Sequence, residues 1–244
     1  MQTLEAIVYV VNSDPVEVME VTRFLISSGI RVITFNSAAE YIASKKDDRI
    51  ACLILDLNLP DTNGLEVQTR LAEKGGPPII FVTDQADILA GVCAMKNGAI
   101  DFITTPVDYG RLITAVRIAF AQDRKRRRER VERLSLLKRW DSLTPREAEV
   151  FCCTVAGLLN KQGAAELGIA PNTYQVHRGR VMKKMQADSL ADLVRMSTRL
   201  ELIFPIAWDK ESRSGGTEEY RRRLDEQDRG RFERIAIHAE SCLA

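Results

Sequence analysis

The first half of the chain alternates short apolar runs with segments in which apolar residues recur every three or four positions. Strands that alternate with helices in this way pair in parallel through right-handed crossovers. The pattern predicts an α/β doubly wound five-stranded parallel sheet over residues 1–120. The predicted strands are 6–11, 31–35, 50–56, 77–82 and 101–103, and the predicted helices lie near 15–28, 37–45, 64–74, 86–97 and from 108 onward.

The second half of the chain reads as helical throughout. The pattern that begins at 108 runs without Gly or Pro from Leu112 to Trp140. Four short helices follow, and the first has a helix-start signature, with Thr144 as N-cap and Pro145 behind it. The predicted domains are a sheet domain at 1–120, a helical charged linker at 121–141, an all-α four-helix domain at 142–205, and a polar break with an amphipathic tail helix at 206–244.

Composition narrows the class of protein. The 244 residues, 45% of them hydrophobic, are enough for two ordinary domains. No apolar run reaches the roughly 18 residues of a membrane span, and no basic stretch precedes the first run as in a signal peptide. The five cysteines follow no pattern, which favours a reducing compartment. We therefore expect a cytoplasmic protein with no membrane partner.

Charge is unevenly distributed along the chain. Residues 1–120 carry 10 basic and 15 acidic side chains, a net charge of −5, whereas residues 121–208 carry 17 and 10, a net charge of +7. A basic second half points to a polyanion, with nucleic acid as the default candidate. Nine of the basic residues lie between Arg124 and Arg139. The simpler interpretation of this run is a solvated helix face, and the more specific one is a direct contact with DNA.

Asp56 ends the apolar run CLILD and is followed by the loop LNLPDTNG. Ligands of doubly wound sheets bind at the carboxyl ends of the strands. The same edge is predicted to hold Asn12, Thr83 and Thr105. A carboxylate at this place is a candidate for chemistry.

These residues resemble the receiver domain of two-component response regulators of the FixJ/NarL type. The resemblance rests on Asp56 with its loop, on Thr83 after the fourth strand and on GAIDFITTP around the fifth. The following domain resembles a LuxR-type helix-turn-helix through SLTPREAEV, AGLLNK, AAELGIAPNTYQVHR and VMKKM. The resemblance covers about residues 5–205.

The resemblance implies a mechanism for the first domain. In this family the aspartate accepts a phosphoryl group from a sensor histidine kinase, and Mg²⁺ neutralises charge on the transferring oxygens. An acidic pair after the first strand holds the metal, and a lysine after the fifth strand neutralises the phosphate. A Thr or Ser after the fourth strand bonds the phosphoryl group, and an aromatic side chain on the fifth turns inward. We expect a regulator and not an enzyme.

The chain departs from the family pattern at the residues that would hold the metal and neutralise the phosphate. Aligned on Pro15, the acidic pair falls on Val11 and Asn12, and the lysine falls on Thr105. We expect no cofactor, or at most weak Mg²⁺ binding at Asp56 and Asn12. A transcription regulator with weak or no dependence on Asp56 phosphorylation is the favoured interpretation, and a conventional phosphorylation-activated regulator is the alternative. The candidate pocket is the phosphoacceptor Asp56 with Val11, Asn12, Asn58, Thr83, Asp84, Phe102 and Thr105.

The resemblance also assigns the DNA-binding residues. The third helix of the domain, about 171–185, is expected in the major groove. Two departures, Gly163 for Ile and Ala170 for a Ser/Thr cap, predict reduced stability. A third, Tyr174 for Val, is expected to pack between helices with its hydroxyl at the surface. The base-facing positions are Gln175, Val176 and Gly179, with Arg178 or Arg180 compensating for the glycine, and the phosphate contacts are Lys161, Thr173, His177, Lys183 and Lys184.

Partners follow from the same resemblance. The last helix is the expected dimerisation element through Leu190, Leu193 and Val194, so we expect a homodimer on double-stranded DNA and a possible sensor histidine kinase. The alternative is that these residues only close the domain core. A flavin-binding or enzymatic use of the sheet is disfavoured because NSDPVEV offers no Gly-rich phosphate loop. A pure interaction module is disfavoured by the helix-turn-helix motifs. The tail is expected to dock on this chain or on a second subunit, and the alternative is a frayed, charged helix.

Overall fold

The computed structural model describes residues 6–46, 48–84 and 87–200. The chain forms two compact units that divide between Ser135 and Leu136. The predicted tail helix within 206–244 lies outside the described residues. Among the helices that are described, none is long and apolar enough to cross a membrane.

The first unit is a five-stranded, all-parallel sheet with helices on both faces, which confirms the predicted fold class. The strands are β1 (Ala6–Val11), β2 (Arg31–Phe35), β3 (Ile50–Leu55), β4 (Ile79–Thr83) and β5 (Asp101–Thr104). The helices are α1 (Pro15–Ser27), α2 (Ala38–Ala43), α3 (Gly64–Glu73), α4 (Ile88–Lys96) and α5 (Tyr109–Asp141), whose residues from Leu136 onward belong to the second unit. The strand order across the sheet is β2-β1-β3-β4-β5.

Strand β1 shows why the sheet is covered on both faces. Successive side chains of a strand point to opposite faces. Ile7, Tyr9 and Val11 join the apolar cluster under α2, α3 and α4, whereas Val8 and Val10 join the cluster under α1 and α5. All six residues of β1 are buried, which explains the continuous apolar run in the sequence.

A buried carboxylate holds α5 against the sheet. Asp123 is 3% exposed and accepts the N–H of Ala51 in β3 at 3.0 Å and the Nε–H of Arg127 at 2.7 Å. Arg126 donates to the carbonyls of the two glycines that follow α3, at 2.7 and 2.6 Å. Residues 121–141, predicted to be a linker, continue α5 without a break.

The second unit contains four short helices, α6 (Pro145–Val155), α7 (Asn160–Glu166), α8 (Pro171–Met185) and α9 (Leu190–Arg199). The start of α6 is a capping box, in which Thr144 Oγ1 accepts the N–H of Glu147 and the Glu147 carboxylate accepts the N–H of Thr144. Helix α8 starts behind Ala170, which provides no side-chain cap.

Tyr174 and Gly163 fit each other where α7 meets α8. A Cβ added at Gly163 would lie 2.5 Å from the Tyr174 ring. The ring is fully buried, and its hydroxyl lies 3.1 Å from Thr154 Oγ1, which itself donates to the carbonyl of Val150. The prediction of a surface hydroxyl at Tyr174 is wrong, because the missing side chain of Gly163 makes room for the whole ring. The small residue at Gly163 and the large ring of Tyr174 therefore compensate for each other in the fold.

We expect Gly163→Ile and Tyr174→Val each to destabilise the second unit, the first by overpacking and the second by a cavity, at about 1–3 kcal/mol or more. The double variant should be more stable than the sum of the single changes, because each removes the cause of the other's damage. Urea unfolding of the three variants measures this coupling. Additivity within about 0.5 kcal/mol would contradict the proposed fit.

Candidate receiver pocket and nucleic-acid interface

Asp56 lies directly after β3, and its N–H donates to the carbonyl of Val11 at 2.9 Å. The residue is 8% exposed. Its carboxylate accepts hydrogen bonds from the Thr83 hydroxyl and from the N–H groups of Leu57 and Asn58. The Oδ1 atom is buried without a hydrogen-bond partner within the described residues. The structure therefore brings Asp56, Thr83 and Asn58 together.

The loop after Asp56 closes on the strand because Gly64 has no side chain. The N–H of Gly64 donates to the carbonyl of Leu57 at 2.8 Å, and a Cβ at Gly64 would lie 2.4 Å from the carbonyl oxygen of Asp56. A bridge between Asn58 and Asn63 crosses the loop, and Asn63 caps α3. The glycine that follows Asp56 in the sequence is thus a steric requirement of the pocket.

The surroundings of Asp56 disfavour its charged form. Burial raises the pKa of the Asp56 carboxyl above its usual range, and the hydrogen bonds from Thr83, Asn58 and Leu57 offset this only in part. The Asp84 carboxylate raises the pKa further because it carries the same charge. With a folded-state pKa above the unfolded one, ionisation of Asp56 costs stability as the pH rises through the folded pKa.

Both polar atoms of the Asn12 side chain make hydrogen bonds at the start of α1. Its Oδ1 accepts the N–H of Asp14 at 2.6 Å, and its Nδ2 donates to Glu17 Oε2 at 2.8 Å. Val11 is fully buried in the apolar cluster with Tyr9. The prediction of Val11 as a pocket residue is therefore wrong, because the alternation along β1 directs its side chain into the core.

Glu17 is a functional candidate that the sequence analysis missed. It accepts the Asn12 amide at this edge. Burial raises the pKa of the Glu17 carboxyl, the Asn12 hydrogen bond lowers it, and the carboxylates of Asp56, Asp14 and Asp84 raise it again. A signal was present, because an acidic residue three positions after an N-cap reaches back over the helix start.

The side chains at this edge offer few free oxygen ligands for Mg²⁺. Mg²⁺ demands near-octahedral oxygen ligands at short distances. Asp56 Oδ1 is a free carboxylate oxygen, but the Asn12 oxygen already accepts a hydrogen bond and Val11 lies in the core. In the described ranges there is no group of three His, Cys, Asp or Glu side chains that could hold a metal ion.

Thr105 stands where the resemblance places a lysine. Its N–H donates to the carbonyl of Thr83 at 3.0 Å, so a neutral, half-buried residue lies next to Thr83. Phe102 is half-buried and packs on Phe81, with ring centroids 5.9 Å apart. Asp84 is exposed beside Thr83. The pocket edge therefore carries neutral and acidic side chains at the predicted positions.

One face of α8 carries most of the residues assigned to DNA. The base-facing candidates Gln175, Val176 and Gly179 are exposed on this face, and a Cβ at Gly179 would meet nothing within 4 Å. Lys161, in the first turn of α7, is also exposed. The exposed residues of the α8 face are Asn172, Thr173, Gln175, Val176, Gly179, Arg180 and Lys183.

Lys184 has an internal role that the sequence analysis did not anticipate. Its ammonium donates to Glu147 Oε2 at 2.6 Å and to the carbonyl of Ser142 at 2.8 Å. The Lys184 hydrogen bond, helped by the N–H of Thr144, lowers the pKa of the buried Glu147 carboxyl to about 2. The assignment of Lys184 to DNA phosphate is wrong, because this ammonium neutralises a buried carboxylate at the start of α6.

Arg178 and His177 lie on the flank of α8. Arg178 is half-buried and donates to Asn160 Oδ1 at 3.0 Å, which ties α8 to the start of α7. His177 is half-buried, and its Nδ1 is enclosed without a hydrogen-bond partner within the described residues. Of the two arginines offered as compensation for Gly179, Arg180 is the exposed one.

Helix α9 divides the residues assigned to dimerisation. Leu193 is fully buried in the core of the second unit. The dimerisation assignment is therefore wrong for Leu193, and the core alternative is right for it. Leu190 and Val194, one helical turn apart, are each 40% exposed and form a small apolar surface.

Comparison with known proteins matches both units to families. The Response regulator receiver domain family matches residues 8–117, and the family of Bacterial regulatory proteins, luxR family, matches residues 141–197. Nodulation protein W of Bradyrhizobium diazoefficiens is 45% identical over 197 residues, which cover 80% of this chain and 87% of that protein. The chain belongs to the FixJ-type response regulators.

Further relatives agree with this family. The transcriptional regulatory protein FixJ of Azorhizobium caulinodans is 38% identical over 192 residues, which cover 78% of this response regulator and 90% of FixJ. The solved structure of the response regulator StyR superposes with a TM-score of 0.70 at 36% identity, over 80% of this chain and 99% of StyR. The protein is thus a response regulator with a LuxR-type DNA-binding domain, a transcription regulator.

Proposed function

We propose that this response regulator binds specific DNA sequences through the exposed face of α8 and acts with weak or no dependence on phosphorylation of Asp56. The observation that carries the proposal is the absence of a cation beside Asp56 among the described pocket residues. Thr105 stands next to Thr83 in place of the family lysine. Asn12, in place of a metal-binding carboxylate, is bonded to the start of α1.

Electrostatics supports this proposal. The carboxylates of Glu17 and Asp84 act on the same edge as Asp56 and raise the cost of negative charge there. A unit-charge pair at about 4 Å is worth roughly 4 kcal/mol at an effective dielectric near 20. Phosphoryl transfer adds charge to this edge, and the reaction needs a metal or lysine to neutralise it. The donor set supports no cofactor, or at most weak Mg²⁺ binding at Asp56.

Signal input in this proposal comes from differential binding. A receiver with two conformations shifts when a partner or ligand binds one of them more tightly. The receiver implies a sensor histidine kinase as partner. In this proposal the kinase biases the receiver by docking, without an obligatory phosphoryl transfer.

The second candidate function keeps Asp56 as a working phosphoacceptor. Two observations favour it. The Thr83 hydroxyl already bonds the Asp56 carboxylate, and Asp56 Oδ1 remains free. These are the groups that would hold and accept a phosphoryl group if neutralising charge came from elsewhere.

We also propose that the protein binds DNA as a homodimer through α9. Leu190 and Val194 are exposed one turn apart, so they suit a two-fold contact between two copies of this helix. A two-fold protein contact implies a two-fold DNA site with one half-site for each copy.

The α8 face is tested by Arg180→Ala combined with Lys183→Ala. Loss of two phosphate contacts should weaken binding to all sequences and make the slope of log affinity against log salt shallower by about 1.8. Gln175→Ala should instead change the preferred sequence, by about 1–3 kcal/mol at one position. Fluorescence anisotropy and selection from random duplexes measure both. The control is Arg70→Ala with Lys74→Ala at the end of α3, and a parent protein without salt-sensitive DNA binding would refute the proposal.

Dimerisation is tested by Val194→Asp, which places a charge on the apolar surface of α9 without touching the core. We expect the footprint on a selected site to shrink to one half-site, because two buried like charges oppose pairing. Ile26→Asp, at an exposed apolar position on α1, is the control. A single half-site footprint for the parent at saturating concentration would contradict pairing.

Phosphorylation independence is tested by Asp56→Asn, which is nearly isosteric and removes the acceptor. We expect promoter output and DNA affinity within about threefold of the parent, a difference under about 1 kcal/mol. Thermal unfolding should show a variant at least as stable as the parent, because a buried charge is removed. Loss of output in a folded variant would establish the second candidate function.

The reverse change provides the matched control. Asn12→Asp with Thr105→Lys returns a carboxylate and a cation to the edge around Asp56. Phosphorylation by a small-molecule phosphodonor with Mg²⁺, followed on phosphate-affinity gels, should then exceed that of the parent.

A further inference from the structure

The basic residues of α5 divide into two sets with different surroundings. Arg126 and Arg127 bond to the receiver unit, Arg126 through glycine carbonyls and Arg127 through Asp123 and Asp48 at 2.7 and 2.5 Å. Arg124 and Arg128 are exposed, and neither makes an ion pair within the part of the chain that the structure describes. The sequence run RKRRRER therefore contains anchoring arginines and free ones.

The anchoring arginines determine where the free ones point. The buried side of α5 contains Leu112, Val116, Ala119 and Asp123, and the bonds of Arg126 hold the helix in this rotation. At 3.6 residues per turn, Arg124 and Arg128 then lie roughly 100° and 140° around the helix axis from Asp123, away from the buried side. They are solvent-facing because of packing within the first unit, and not because the segment is unstructured.

Arg117 extends the free set into a stripe. It is exposed and lies seven residues, about two turns, before Arg124 on the same side of α5. The stripe of Arg117, Arg124 and Arg128 extends about 16 Å along the helix axis at 1.5 Å per residue. A duplex presents one phosphate per about 3.4 Å of axis on each strand, so the stripe matches several consecutive phosphates.

The positive charge of the stripe determines which kind of molecule can bind there. A second copy of the chain packed along it would set guanidinium groups against their own copies, which is unfavourable. Guanidinium groups bind phosphate through paired N–H donors and stay charged at all physiological pH values. A polyanion with regularly spaced phosphates is therefore the better match.

We propose that the stripe of Arg117, Arg124 and Arg128 on α5 is a second DNA-contacting surface, which binds backbone phosphates and reads no bases. The inference rests on the proposed function, because DNA binding by α8 brings the duplex to the protein. It assigns to the receiver unit a direct share of the affinity. Its contribution is electrostatic, so it is steeply dependent on salt.

The test uses the full chain and a fluorescent duplex of about 40 base pairs of mixed sequence, titrated by anisotropy between about 50 and 200 mM salt. Arg124→Ala with Arg128→Ala should weaken binding roughly tenfold at about 0.1 M salt and make the salt slope shallower by about 1.8. Arg70→Ala with Lys74→Ala is the matched control, since it removes two exposed cations with the same four-residue spacing, one in the last turn of α3 and one at its C-cap. The control should bind like the parent.

The outcomes separate the two proposals. Equal losses of DNA affinity in the α5 double variant and in the control double variant would show a long-range effect of net charge. That result would overturn the proposed contact. Unchanged DNA binding of the α5 pair, with a parent that binds, would overturn this inference alone and leave an acidic protein as the occupant. A parent without salt-sensitive binding would overturn both proposals. Thermal unfolding midpoints equal to the parent's exclude misfolding, as expected for exposed positions.

Discussion

Parallel pairing of five buried strands is the constraint on which the receiver unit depends, because it gathers the carboxyl ends of the strands along one edge. Backbone bonds set the neighbours there, with Asp56 beside Val11 and Thr105 beside Thr83. Gly64 lets the loop after β3 close on this edge without a clash. The strand register thus decides where each residue lies along this edge. The identity of its side chain decides which chemistry it can support there. A threonine at 105 leaves a buried carboxylate facing groups that are neutral or negative.

The departures from the family pattern have different physical characters in the two units. In the pocket, burial and the Asp84 carboxylate raise the pKa of Asp56, and the hydrogen bonds from Thr83, Asn58 and Leu57 offset this only in part. In the second unit, the small residue at Gly163 and the large one at Tyr174 fill one volume together. The pocket positions bear on the charge of Asp56, whereas the Gly163–Tyr174 pair bears on the packing of α7 against α8.

Long cationic side chains in this protein act according to the surface they reach. Lys184 neutralises the buried Glu147, and Arg178 ties α8 to α7. Arg127 completes the bonds of the buried Asp123 that hold α5 on the sheet. Each of these cations bonds to a group inside its own unit. The net charge of a segment therefore overstates the number of cationic side chains that are available to bind DNA.

The sequence by itself determined the element order, the fold class of both units and the edge at which Asp56 lies, because hydrophobic periodicity and strand ends are local properties. It also marked the neutral residue at Thr105. Tertiary structure decided the rest. Whether Val11 and Leu193 face a site or a core depends on which side of a strand or helix is covered, and alternation alone leaves both sides open. The roles of Glu17, Lys184 and the Gly163–Tyr174 pair depend on partners distant in the chain or across a helix start, and only packing brings these atoms within bonding distance.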